Sequence, residues 1–120
     1  MAHYVDGYVL PVPKKNLALY RSLARRAGKI WREHGALEVR ECVADDVKPG
    51  KLTSFPQSVK LKAGETVGFA WIVFRSRRDR DRINDRVMKD PRLAAMMDPK
   101  SMPFDAKRMF WGGFKGLVEL

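Results

Sequence analysis

Val67-Gly68-Phe69-Ala70-Trp71-Ile72-Val73-Phe74 lies within the longest stretch of the chain that carries no charge. Read as a strand, its side chains alternate in direction. Val67, Phe69, Trp71 and Val73 point one way; Gly68, Ala70, Ile72 and Phe74 point the other. A strand with one wet face alternates apolar with polar, and this one does not. Both faces need cover.

Working outward, Ser76 and Asp79 have capping-box spacing, so a helix follows the strand with Ile83 and Val87, joined by Met88, toward a core. Its arginines and aspartates, Arg75 to Arg86, read as a solvated, self-paired face. Asp90-Pro91 ends that helix and starts a short one through Leu93, Met96 and Met97, closed by Asp98-Pro99. Arg108 to Phe114 is a last strand in which Gly112 and Gly113 imply a bulge or a close backbone contact.

On the N-terminal side, Asp45 to Glu65 is an excursion with a Pro49-Gly50 turn and a helical turn at Phe55 to Val59. Ala36 to Val43 is a strand with Glu38, Arg40 and Cys42 on one face. Lys15 to His34 is a helix whose stripe is Leu17, Tyr20, Ala24, Ala27, Trp31 and His34, widened by Leu23 and Ile30. Gly35 stops it, and Gly28 implies a close approach to a sheet. Tyr4 to Leu10 is the first strand, ended by Pro11 and Pro13.

The order strand, helix, strand, strand, helix, strand predicts an α+β, ferredoxin-like βαββαβ plan: a four-stranded antiparallel sheet with two main helices on one face, in a single domain over 1–120. Two helices shield one face only. The small residues Gly68 and Ala70 suit the helix side. That leaves Val67, Phe69, Trp71 and Val73, together with Tyr4 and Tyr8, on an open face. Such a patch marks an interaction site, so the chain is predicted to pair face to face with a second copy as a closed homodimer. The alternative is an RNA-binding module. Gly68 to Phe74 follows the RNA-recognition pattern on its third strand, with Val67 where a basic residue belongs.

The 120 residues carry 24 Lys and Arg against 14 Asp and Glu, a formal net charge of +10, which suits an anionic partner or simply solubility. One cysteine, Cys42, excludes an internal disulfide and fits a reducing compartment. With no apolar run of about 20 residues and no signal-peptide pattern at the start, the expectation is a cytoplasmic protein with no membrane association.

Tyr4 to Lys14, Trp31 to Glu38, Thr53 to Pro56 and Met102 to Phe114 together resemble segments of the YbaA-like bacterial proteins, a domain-of-unknown-function family. The resemblance runs nearly end to end, with Ala106 in place of the family's Gly and Trp111 in place of its Tyr. It implies a dimeric α/β-barrel type. That class includes cofactor-free oxygenases, isomerases, haem-handling enzymes and ligand sensors, with sites between sheet and helices or at the dimer seam. The family supplies a class and no reaction.

Candidate site residues follow from chemistry. His34, at a helix C-terminus, either shuttles a proton or caps the helix. Asp6 is a general base or half of a structural ion pair with Arg40 or Arg108. Asp105 is a turn residue, or it orients Lys107 and Arg108 to hold a small anionic ligand. Tyr8, Glu38 and Trp71 complete the candidate binding set. The two histidines show no metal-ligand spacing, and no cofactor motif is present, so neither metal nor cofactor is predicted. The function expected is a small-molecule binder or metal-free enzyme with a pocket between sheet and helices, near His34, Asp6, Trp71 and Arg108.

Overall fold

In the computed structural model, which describes residues 2–120, the charge-free stretch forms most of an inner strand of a four-stranded antiparallel sheet. The elements are β1 (Tyr4–Pro13), α1 (Leu17–Glu33), β2 (Glu38–Val43), α2 (Phe55–Ser58), β3 (Glu65–Phe74), α3 (Arg77–Met88), α4 (Pro91–Met96) and β4 (Phe110–Lys115). Single 3-10 turns at Lys14–Asn16 and Ala106–Arg108 lead into α1 and β4. The sheet order is β2-β3-β1-β4, the ferredoxin-like α+β arrangement.

Several boundaries move from the sequence reading. β1 runs through Pro11 to Pro13. β4 pairs with β1 only as far as Val9, so beyond it one side of β1 is an edge, where a missing N–H is tolerated. β2 begins at Glu38 because Ala36 belongs to the helix end. Gly35 N–H donates to Arg32 O and Ala36 N–H to Trp31 O, with Gly35 at φ +120. This is a Schellman closure, which needs a positive-φ residue. β4 starts at Phe110 because Arg108 sits in the preceding turn.

The register fixes which side chains share a face. On the helix side, Tyr4 pairs with Phe74, Asp6 with Ile72 and Tyr8 with Ala70. On the other side, Val5 pairs with Val73, Gly7 with Trp71 and Val9 with Phe69. Tyr4 and Tyr8 therefore lie under the helices and not on the open face. The correction has a simple origin. Alternation says which residues of β1 go together, but only pairing with β3 says which set faces the helices.

The main core lies between helices and sheet: Ile30, Ala36, Ile72, Phe74, Ile83, Val87 and Leu93. Ser76 caps α3 through Asp79 N–H, and Ile83 and Val87 point inward as the capping and spacing imply. Met88 instead lies out in solvent. A second cluster holds Val9, Val59 and Val67, with Ala44 and Leu61 against it. The 44–64 excursion thus folds over one end of the open face. Val67 is buried by its own chain at 3% exposure and leaves the predicted dimer face.

Candidate functional site

The predicted site residues fall into four separate places. Asp6 is fully buried on the helix face. Its Oδ1 accepts from Arg80 Nη1 at 2.7 Å and its Oδ2 from Asn84 Nδ2 at 3.2 Å. Trp31 Nε1 in turn donates to Asn84 Oδ1 at 2.9 Å. Arg80 also lies over the Tyr4 ring and donates to Asp81. The partner of Asp6 is therefore Arg80, not Arg40 or Arg108. Gly113 sits opposite Asp6 on β4, where a Cβ would collide with the Tyr4 phenol and come within 2.9 Å of Arg80 Nη1. The glycine makes room for the arginine. Burial pushes the Asp6 carboxyl above its ordinary value, with Asn84 and Arg80 opposing that rise. Tyr8 packs nearby, stacked on Trp111 with centroids 5.9 Å apart, and burial raises its phenol.

His34 stands elsewhere. The helix carbonyls are closed by Gly35 and Ala36, which leaves the His34 ring free to meet Asp90: Nε2 to Oδ2 is 2.9 Å. Asp90 caps α4 and accepts from Arg92, which also donates to Glu33 at 2.7 Å. Arg92 first, then His34, holds the Asp90 carboxyl well below the carboxylate range. The cluster ties the end of α1 to the start of α4.

Arg108 forms a bidentate pair with Glu65, at 2.8 and 2.6 Å, and its Nε donates to Asp105 at 2.9 Å. Two carboxylates already occupy that guanidinium, and Asp105 also accepts from the Lys107 backbone N–H. Arg108 pins the loop before β4 to the start of β3. The Lys107 side chain makes no ion pair among the described residues.

Trp71 and Glu38 lie on the open face, across the sheet from Asp6. Trp71 Nε1 donates to Glu38 at 2.8 Å, and Arg40 donates to the same carboxylate at 3.0 Å. The indole first, then Arg40, holds that carboxyl below its ordinary value. The open face reads in three rows: Glu38, Val73, Val5, Phe114; Arg40, Trp71, Gly7, Gly112; Cys42, Phe69, Val9, Phe110. Phe69 is 42% exposed, Phe110 46% and Phe114 65%. A shallow apolar trough of about 640 Å³ runs along these rows.

The concavity between helix and sheet lies on the other side, and of the predicted site residues only Glu38 borders it. A cleft of about 810 Å³ opens between α1 and the β2 edge, floored by Val12, Val39, Val43 and Gly68. Gly28 opposes Val39 there; a Cβ would stand 3.1 Å from Val39 Cγ1, as the expected close approach requires. Tyr20 of α1 donates to Glu41 of β2, 2.7 and 2.8 Å from its two oxygens. Phe104 packs edge-on against the Tyr20 ring at 5.6 Å and holds it in place. Partial desolvation against α1 raises both groups: the Glu41 carboxyl lies above its ordinary value although Tyr20 opposes the rise. Arg21, Arg25, Lys29 and Arg32 form the cationic side. The available signal was Glu41 sharing parity with Val39 and Val43 on β2, opposite a tyrosine in the helix stripe.

A hydrogen-bonded tyrosine–carboxylate pair can orient a polar group and exchange a proton with it. Among the described residues no cluster of three or more His, Cys, Asp or Glu could hold a metal ion, and no helix is long and apolar enough to cross a membrane.

Comparison with known proteins agrees with this architecture. The chain is 43% identical over 116 residues to the uncharacterized protein YbaA of Escherichia coli K12, covering 97% of each chain, and equally to YbaA of Shigella flexneri. Among solved structures it is similar to a nipsnap family protein of unknown function from Agrobacterium tumefaciens, with TM-score 0.56, 15% identity, and 95% of this chain and 87% of that one covered. It is also similar to a dimeric ferredoxin-like protein from an uncultured marine organism, with TM-score 0.54, 8% identity, and 100% and 98% covered. At those identities the likeness shows the fold. The model of the family described as "Protein of unknown function (DUF1428)" matches residues 3–106, and the chain belongs to that family.

Proposed function

We propose that this protein is a homodimeric small-molecule binder or metal-free enzyme. Two sheets close on each other through their open faces, and each subunit receives its ligand in the cleft between α1 and β2. One observation carries the assembly: Phe69, Phe110 and Phe114 are 42%, 46% and 65% exposed in rows on one sheet face. Apolar surface is worth about 25 cal/mol per Å² when hidden. The two phenylalanines of β4 and Phe69 are the side chains with most to gain. Trp71 is already half covered by Phe69, Glu38 and Arg40 and contributes less. The marine relative in fold is described as dimeric, which supports the same assembly here. We place the protein in the cytoplasm, where the exposed free thiol of Cys42 stays reduced.

The RNA-binding alternative is not favoured. Among the described residues, the three strand rows of the open face hold one cation, Arg40, and Glu38 engages it. An aromatic platform needs cations beside it to hold phosphates.

Sedimentation equilibrium over a dilution series tests the assembly, with Phe114→Glu as the disrupting variant. A wild-type dimer at micromolar concentration and a monomeric variant are expected. A wild-type monomer that binds labelled single-stranded RNA with steep salt dependence would overturn the proposal in favour of RNA.

A further inference from the structure

Resting on the cleft reading above, we propose that the α1–β2 cleft takes an amphipathic monocarboxylate. Its apolar body lies on Val39 and Val43, and its carboxylate is held by the α1 cations Arg25 and Lys29.

Charge pairing carries the inference. Arg21, Arg25 and Lys29 follow one another at four-residue steps along the cleft wall, so they share one ridge of the helix. Like charges at that spacing destabilise a helix. Among the described residues none of the three makes an ion pair. Two acidic residues border the same cleft and neither offers the wall a free carboxylate: Glu41 is engaged by Tyr20, and the Glu38 carboxylate turns to the open face, where Trp71 and Arg40 hold it. Arg32 donates to the carbonyls of Ala36 and Leu37. The wall is cationic and, along Arg21, Arg25 and Lys29, without ion pairs among the described residues, beside an apolar floor on which Val43 is 53% exposed. By contrast, Arg77, Arg80 and Arg82 of α3 find aspartates on their own helix. The volume, about 810 Å³, falls within the range of roughly 300–1,000 Å³ usual for small-molecule sites. An apolar floor with a one-signed wall selects a molecule with an apolar body and one anionic end. The Tyr20–Glu41 pair, which also lines the cleft, is placed to hydrogen-bond a polar substituent on that body.

The test uses the full chain with octanoate and 1-octanol as probes, by calorimetric titration and amide shift mapping. Octanoate is expected to shift amides of α1 and β2 and to bind more tightly than octanol. The exposed double substitution Arg25→Gln with Lys29→Gln is expected to weaken octanoate at least about tenfold and leave octanol within about twofold. Val43→Trp, which fills the floor, is expected to abolish both. Equal octanoate affinity in the double variant and the wild type would overturn the ligand class while leaving the cleft as a binding site. Binding of neither probe, or shifts confined to β4 and the open face, would overturn the cleft reading itself.

Discussion

The two faces of one strand behave differently. Phe74, on the helix side of β3, has 0% exposure; Phe69, five residues earlier on the opposite side, has 42%. Both are phenylalanines in the same ladder. What separates them is cover. On the helix side α1, α3 and α4 supply Ile30, Ile83, Val87 and Leu93. The buried charge there, Asp6, is satisfied by Arg80 and Asn84. On the other side the 44–64 excursion reaches only Val9 and Val67 and, through Phe55, the rim of Phe69. One face is finished within the chain; the other, on the assembly proposed above, is finished by a second copy.

The contrast can be broken in order of size. Phe74→Ala should destabilise the fold by about 3–5 kcal/mol in urea denaturation at every protein concentration. Phe69→Ala should cost less, and its cost should grow with concentration as dimer is lost. Equal, concentration-independent costs would erase the distinction. Asp6→Ala leaves the Arg80 guanidinium, 12% exposed, without its buried partner and should cost about 3 kcal/mol. Adding Arg80→Met should recover part of that. Gly113→Ala drives a Cβ into Tyr4 and Arg80 on the helix side and should cost about 1–3 kcal/mol. Its neighbour Gly112 faces the open side, where a Cβ meets only Phe114 at 3.7 Å, and Gly112→Ala should stay within about 0.5 kcal/mol.

The smallest effect is in the pH profile. The Asp90 carboxyl lies below its ordinary 3.8 in the fold. Its contribution is therefore complete above that value and is lost as pH falls below it. Asp6 is raised above 3.8. Between that value and its raised one the folded state binds more protons, so its contribution declines as pH rises through the window. Melting temperatures from pH 2.5 to 6 should show a flatter acid limb in Asp90→Asn. Asp6→Asn should remove the opposing component and leave a steeper rise with pH above 3.8. Unchanged profiles would contradict both assignments.

The sheet, its order of elements and the apolarity of β3 on both sides are legible in the sequence, because periodicity and caps are local signals. The face of Tyr4 and Tyr8 is not, because it depends on the register Tyr4 to Phe74 across the sheet. Arg80 is indistinguishable from its five neighbouring arginines until α3 is laid over β1 beside Gly113. Val67 reads as exposed until Val59 and Leu61 fold back over it. Tyr20 belongs to the helix stripe and Glu41 to β2, and nothing local announces that they meet. The candidate residues His34, Asp6, Trp71 and Arg108 are each engaged in the structure, but at four separate places.

Light scattering coupled to size exclusion measures the central claim most directly, on the wild type, on Phe69→Glu and on the surface control Arg78→Glu. The expected result is twice the chain mass for wild type and control at micromolar concentration, and a folded monomer for Phe69→Glu. A wild-type monomer, or a Phe69→Glu protein that keeps the doubled mass, would contradict it.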